Sequence, residues 1–436
     1  MLRFLHLPLS LFVASLLLLG CATAPLQTES LDYRARAEIK VDGNVRVSAS
    51  VLSPQESENT FTVPLANKGL QPVWLKIDNQ EDKQFILMLL SIDPNYFSPS
   101  EVAWMYREEG ETSFEDKVDW LVNNHIQVIV PPHSTVSGYV YTNLDPGAKA
   151  FAVELVGNHD VRSFEFAQIV PGFEADYMRV DFDRLYAANE IQDLDLDGLR
   201  HYLENLPCGV FGGDNKTPGD PLNLVVVGGG KHVLATLVRQ GWDLTETIRS
   251  DTKWRTVVSS VFSSKYRTSP VSPLYLFDRP HDVAFQKSRK TVDKRNHLRL
   301  WLAPVTLKGQ RVWVGQISRD IGVKFSSKTF VTHKVDPVVD EARLYISLDF
   351  AASHTLKTIG YVKGVGISDR ESPRFNYTSD PYYSDGLRVV LILDEKRRSL
   401  DNIEFLGWEQ LKAITRKPNS VYSSGRRPSA ATEPKR

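Results

Sequence analysis

The 436 residues are 42% hydrophobic and 24% charged, enough to bury a sizeable core and, at this length, to form two domains. Lys plus Arg number 52 against 53 Asp plus Glu, a net charge of −1, so the basic excess of a nucleic-acid binder is missing and no nucleic-acid partner is expected.

Arg3 precedes a leucine-rich stretch from Leu5 to Leu19, too short for a membrane span of about 20 residues and suited to a secretory signal over residues 1–20. The stretch ends Leu18-Leu19-Gly20-Cys21, which resembles the bacterial lipoprotein box. That resemblance implies cleavage before Cys21 and acylation of Cys21, palmitate included. Each buried methylene contributes about 0.8 kcal/mol and more than one chain anchors stably. Ala22 and Thr23 stand where an Asp would hold such a protein at the inner membrane. The expected address is therefore the cell envelope, at the periplasmic face of the outer membrane. With Cys21 acylated, Cys208 has no partner for an intramolecular disulfide, and beside Pro207 and Gly209 it reads as a turn residue.

Residues 21–32 form a small-residue tether, and 33–170 read as an all-β sandwich. Its strands are expected at Ala35–Val41, Asn44–Leu52, Thr60–Leu65, Val73–Asp78, Phe85–Ile92, Val128–Val130, Val136–Tyr141 and Ala150–Leu155, with turns such as Asp42-Gly43 between them. Pro99–Val122 interrupts the pattern with acidic, aromatic, helix-tolerant residues. His125, His133 and His159 are scattered over loops and lack metal-ligand spacing.

After a linker at 171–193, residues 194–412 read as a mixed α/β (α+β) domain. A short helix at Leu196–Leu206 stops at Pro207, and the unbroken apolar run Leu222–Val227 predicts a strand covered on both faces. Gly228-Gly229-Gly230 then leads into a helix to Gln240; with no GxxxxGK[ST] and Val233 at the third glycine position of GxGxxG, it reads as a tight turn. Trp254–Ser263 is a further expected helix, and Pro273–Phe277 and Val283–Lys287 are strands around Asp278–Asp282. Asn296–Leu307 and Gln310–Val323 alternate with period two around Lys308-Gly309, a hairpin signature. Pairing Leu307 with Gln310 would set Trp301 opposite Gln316, Arg299 opposite Ser318 and His297 opposite Asp320, all on one polar face. Thr329–Val335 is another strand, Asp336-Pro337 an N-cap and N1 pair, and Tyr345, Leu348, Ala352, Leu356 and Ile359 continue the helix. Leu387–Leu393 is the last strand, and 413–436 a polar tail with basic pairs, expected to be disordered.

The runs SPVSPLYLFDRPHDVAFQKSR, NHLRLWLAP, VWVGQISRDIGV, VTHKVDPVVDEAR and DPYYSDGLRVVLIL resemble the LssY C-terminal domain family, over roughly Leu194–Leu393. The resemblance implies a bacterial domain that elsewhere accompanies membrane domains similar to DedA or phosphatidic-acid phosphatases, and it supplies no catalytic residues.

Two functional expectations follow. One is a lipid-anchored envelope protein binding an anionic ligand or an envelope partner through Arg299, Gln316, Arg319, Lys287, His281 and Asp282, since guanidinium groups grip phosphate and carboxylate bidentately. The other is a hydrolase of envelope lipid or phosphate esters using His297, Asp320 and His333 as acid and base, without HExxH-type metal spacing and with structural pairing of the same residues as the alternative. No cofactor is specified by any motif.

Overall fold

The computed structural model describes residues 33–411 except 62, 110–111, 247–267, 269–270, 289–294 and 327–329; for strand residues 323–326 and 330–333 it describes the backbone alone. The leader, Cys21, the tether, the helix expected at Trp254–Ser263 and the tail from 412 onward lie outside the described residues. The chain divides into two compact units, the first running to Leu144 and including Glu154–Phe164, the second comprising Asp145–Val153 and Glu165 onward.

In the first unit the strands Glu38–Asp42, Val45–Val51, Leu70–Asn79 and Ser134–Asn143 form one antiparallel sheet. Period-two alternation puts Val45, Val47, Ala49, Val51, Val73, Leu75, Ile77 and Val140 on one face, all fully buried. Trp74, Tyr139 and Tyr141 occupy the other face and pack with Phe61, Val102, Ala103 and Leu121. A second antiparallel set pairs Phe85–Met88 with Ile129–Val130 on one side and with Glu154, Leu155 and Val156 on the other.

The expected all-β character does not hold. The strand expected at Thr60–Leu65 is instead the end of a helix, Pro54–Phe61, followed by a 3-10 turn at Leu65–Lys68. Ser53 Oγ accepts the Glu56 N–H at 3.1 Å while the Glu56 carboxylate accepts the Ser53 N–H at 2.8 Å, a reciprocal cap that starts the helix. Pro99–Met105 and Phe114–Asn124 are helices as well, capped by Ser98 and Ser113.

The second unit is built on a mixed sheet of ten strands. Its path runs Asp243–Leu244, Val283–Ser288, Arg295–Leu307, Gln310–Ser326, Leu224–Val227, Leu387–Leu393, Leu356–Lys363 and Glu404–Phe405. Gln192–Leu194 and Phe330–Val335 pair onto the long hairpin. Leu224–Val227 is central, antiparallel to one neighbour and parallel to the other, and wholly buried. Helices Gly230–Arg239 and Val339–Ala352 cover Leu298, Leu300, Trp313 and Ile317 on one face. Helix Leu196–Glu204 and the small sheet carrying Val210 and Leu276 cover Trp301, Val314 and Val225 on the other.

The hairpin closes at Lys308-Gly309 with Leu307 opposite Gln310, but a bulge between Leu302 and Thr306 shifts the remaining register by two. Pro304 sits in it and has no N–H to give the ladder. Arg299 therefore faces Gln316, His297 faces Ser318 and Trp301 faces Val314, not the partners expected from an unbroken ladder. Because a shift of two preserves sidedness, the polar face survives.

The helix after Asp336 also differs from expectation. Asp336 is not its N-cap: its carboxylate accepts the Val338 N–H at 3.0 Å, and the helix starts at Val339. It ends at Ala352, since His354 takes a left-handed φ of +61°, and Leu356 and Ile359 belong to the following strand. Its buried residues are Val339, Ala342, Arg343, Ile346, Ser347 and Phe350, while Leu348 is 60% exposed.

Candidate functional site

The hairpin's polar face gathers four of the expected site residues. His297 Nε2 lies 2.7 Å from Asp320 Oδ2, a diagonal pair across neighbouring strands, and both side chains are nearly buried. One rung further on, Arg299 Nη1 donates to Gln316 Oε1 at 3.0 Å, while its Nε and Nη2 donate to the Ser272 carbonyl at 3.2 and 3.0 Å. Burial holds the Arg299 guanidinium below its ordinary basicity, and Asp220, Asp320 and Asp176 oppose this through space. Among the described residues none forms an ion pair with Arg299. Gln316 is fully buried, and its Nε2 has no hydrogen-bond partner among the described residues.

Sequence reading missed the acidic rim of this face. Asp220, on the short strand Pro218–Pro221, accepts from Asn376 Nδ2 at 3.0 Å. Burial pushes its carboxyl up, Arg299 pulling the other way. Asn376 Oδ1 in turn accepts the Asp380 N–H at 2.9 Å, and Asp380 pairs with Lys334 at 2.7 Å. Asp380 opens the DPYYSDGLR run, yet only folding places that run beside the hairpin.

The other candidates do not converge here. Lys287 and Arg319 flank Asn296 on the opposite, helix-covered face, in line across three strands. Lys287 pairs with Asp349 at 2.8 Å, Arg319 donates to Asn296 at 3.2 Å, and both cations lie over the Tyr345 ring. They cannot join Arg299 in gripping one anion, because the sheet stands between them. Asp282 accepts both Arg279 Nε and Nη2 at 2.9 Å and the Leu302 N–H at 2.7 Å, a structural lock. His281 sits 3.6 Å from Asp176 and edge-on to Trp301. Burial holds its imidazole below 6.5, with Asp176 opposing. The backbone of His333 pairs with Val323, and its side chain lies outside the described residues. No group of three or more metal-ligating side chains gathers among the described residues, and no helix there is long and apolar enough to cross a membrane.

Two of the motif runs interlock by packing. Arg343 grips both oxygens of Asp385 at 2.7 and 2.8 Å, and the Asp340 carboxylate accepts the Asp385 N–H at 2.7 Å, so VDPVVDEAR and DPYYSDGLR are joined through structural contacts. Residues 204–387 match the family model described as LssY C-terminus. Among curated proteins, none matches the chain.

Proposed function

Because the chain carries an LssY C-terminus domain over residues 204–387, we propose that the protein is a lipid-anchored component of the bacterial envelope whose LssY C-terminus domain binds a small anionic ligand. The ligand sits on the polar face of the long hairpin. The observation that carries this reading is that, among the described residues, Arg299 hydrogen-bonds neutral partners only and the neighbouring Gln316 amide donor is unpaired. A buried guanidinium with no carboxylate in contact retains its charge for an incoming anion, and an unused buried donor is costly unless something fills it. The leader ending at Cys21 supports the anchored address. The antiparallel sheet of the first unit, with its buried apolar face, supports a β-rich spacer between anchor and binding domain.

The test is thermal unfolding of the purified protein in inorganic phosphate and in short-chain carboxylates at constant ionic strength. The wild type should gain stability with anion concentration, as a ligand of the folded state requires. Gln316→Leu and Arg299→Met, checked for native circular dichroism, should lose that gain. An unfolding temperature indifferent to every anion, or an undiminished gain in both variants, would sink the reading.

The His297–Asp320 contact of 2.7 Å favours a second reading, hydrolysis of an envelope ester with the imidazole as general base and the carboxylate orienting it. Turnover of phosphate or acyl esters by the wild type, abolished in His297→Ala with folding intact, would support it; an inert wild type would rule those substrates out.

A further inference from the structure

The helical layer of the first unit exposes two indoles, Trp104 at 58% and Trp120 at 43%. Each makes an edge contact with a phenylalanine: Trp104 meets Phe114 with ring centres 5.8 Å apart, and Trp120 meets Phe61 at 5.4 Å. Phe61 continues inward to Tyr139 at 5.0 Å, and Tyr139 contacts Tyr33, the two hydroxyls sharing a hydrogen bond. Tyr33 is the first described residue and follows Cys21 by 12 positions. Twelve residues span at most about 40 Å. Tyr33 thus belongs to the aromatic cluster whose exposed member is Trp120.

We propose that this helical layer rests on the phospholipid surface that holds Cys21, with Trp104 and Trp120 seated among the head groups. The inference rests on the lipid-anchor reading given above. Indole suits that position because its apolar body and single N–H match the boundary between acyl chains and water. The Arg107 guanidinium stacked 4.4 Å over Trp104 supplies a phosphate partner beside the indole. The surroundings set the lipid class. Glu101, Glu108, Glu115, Asp116 and Asp119 are exposed on the two helices and the turn after the first, against the exposed bases Arg107, paired with Glu108 at 3.1 Å, and Lys68, paired with Glu109 at 3.1 Å. An acidic rim is repelled by anionic head groups, so the surface it fits is zwitterionic.

The experiment uses the full chain produced with its leader in a bacterium and purified with any lipid in place. Mass spectrometry of the N-terminal peptide reads acylation of Cys21. The protein is then placed in phosphatidylcholine vesicles with brominated or ordinary acyl chains, and tryptophan emission is compared. Brominated chains should quench the wild type. The Trp104→Phe, Trp120→Phe double variant, which keeps both ring contacts, should lose most of that quenching, and replacing half of the lipid by phosphatidylglycerol should weaken it. Acylated Cys21 with unquenched emission, or equal quenching in the double variant, overturns the seating alone. A Cys21 without acyl groups overturns the anchor reading, and the seating falls with it.

Discussion

At the scale of single residues, the strongest structural commitment is Arg388. It is wholly buried and donates to the carbonyls of Leu222, Leu203, Leu206, Pro207 and Gly364. Three of these lie at or just beyond the end of helix Leu196–Glu204, so the guanidinium does the work of a C-cap. Burial pushes its pKa down to about 10, with Cys208 and Tyr202 opposing. Arg388→Met should cost about 3 kcal/mol or more in urea unfolding, because each buried carbonyl left unpaired costs about 1–3 kcal/mol; a loss below about 1 kcal/mol would contradict this role. Arg299, equally at home in the period-two pattern, differs by having an amide neighbour with an unused donor, and that difference separates the candidate site from the scaffold. His281 supplies a pH prediction. Its folded pKa lies below the ordinary 6.5, so the unfolded chain binds the proton more readily and stability falls as pH drops below about 6.5. His125 and His232 shift in the same direction, also through burial. Each contributes at most about 1.4 kcal/mol per pH unit. His281→Gln should flatten the dependence between pH 7 and 5, measured by denaturant unfolding at each pH; an unchanged slope would remove His281 as a contributor.

At the scale of elements, alternation and turn chemistry carried the hairpin, while its register depended on a bulge. Leu298, Leu300 and Leu302 announce a face, and Lys308-Gly309, with φ of +49° and +78°, announces the turn. Nothing in that pattern counts how many residues a bulge around Pro304 will absorb. Sidedness survived because the shift is even, which is why His297 and Asp320 meet although they are not directly opposite. Gly315, opposite Leu300, matters here: a Cβ would stand 2.7 Å from Leu300 Cδ2 and 3.1 Å from the Arg299 carbonyl. Gly315→Ala should destabilise by about 1–3 kcal/mol through overpacking, read by chemical denaturation, and should displace Arg299 as well; wild-type stability with full anion response would show the contact to be slack. The helix Val339–Ala352 failed differently. Steps of three and four persisted by chance across Leu356 and Ile359, but His354 at positive φ ends the helix, and Arg343 rather than an aliphatic chain fills part of its buried face.

At the scale of the whole molecule, the proposed acylation of Cys21 would leave the exposed Cys208 without an intramolecular partner, and stability would then be independent of redox state. A reducing agent should not move the unfolding midpoint, and any oxidised dimer on a non-reducing gel should vanish in Cys208→Ser. A midpoint shift on reduction would reveal a cross-link these positions do not provide. Length, charge balance, the strand alternation and the LssY C-terminus runs were legible along the chain, because each depends on residues within a few positions of one another. The helical layer of the first unit was partly hidden, since Ser53 and Glu56 cap a helix in a stretch whose composition also suits a strand. What the chain order concealed is the candidate site's full membership. Asp220, Asn376 and Asp380 come from segments far from the hairpin in sequence, and Lys287 and Arg319 leave the site although they sit on the same three strands as Arg299. Local sequence determines which side of a strand a residue takes; only the packed sheet decides which side meets the loops that complete a site, because that choice depends on where distant segments bury their own apolar surface.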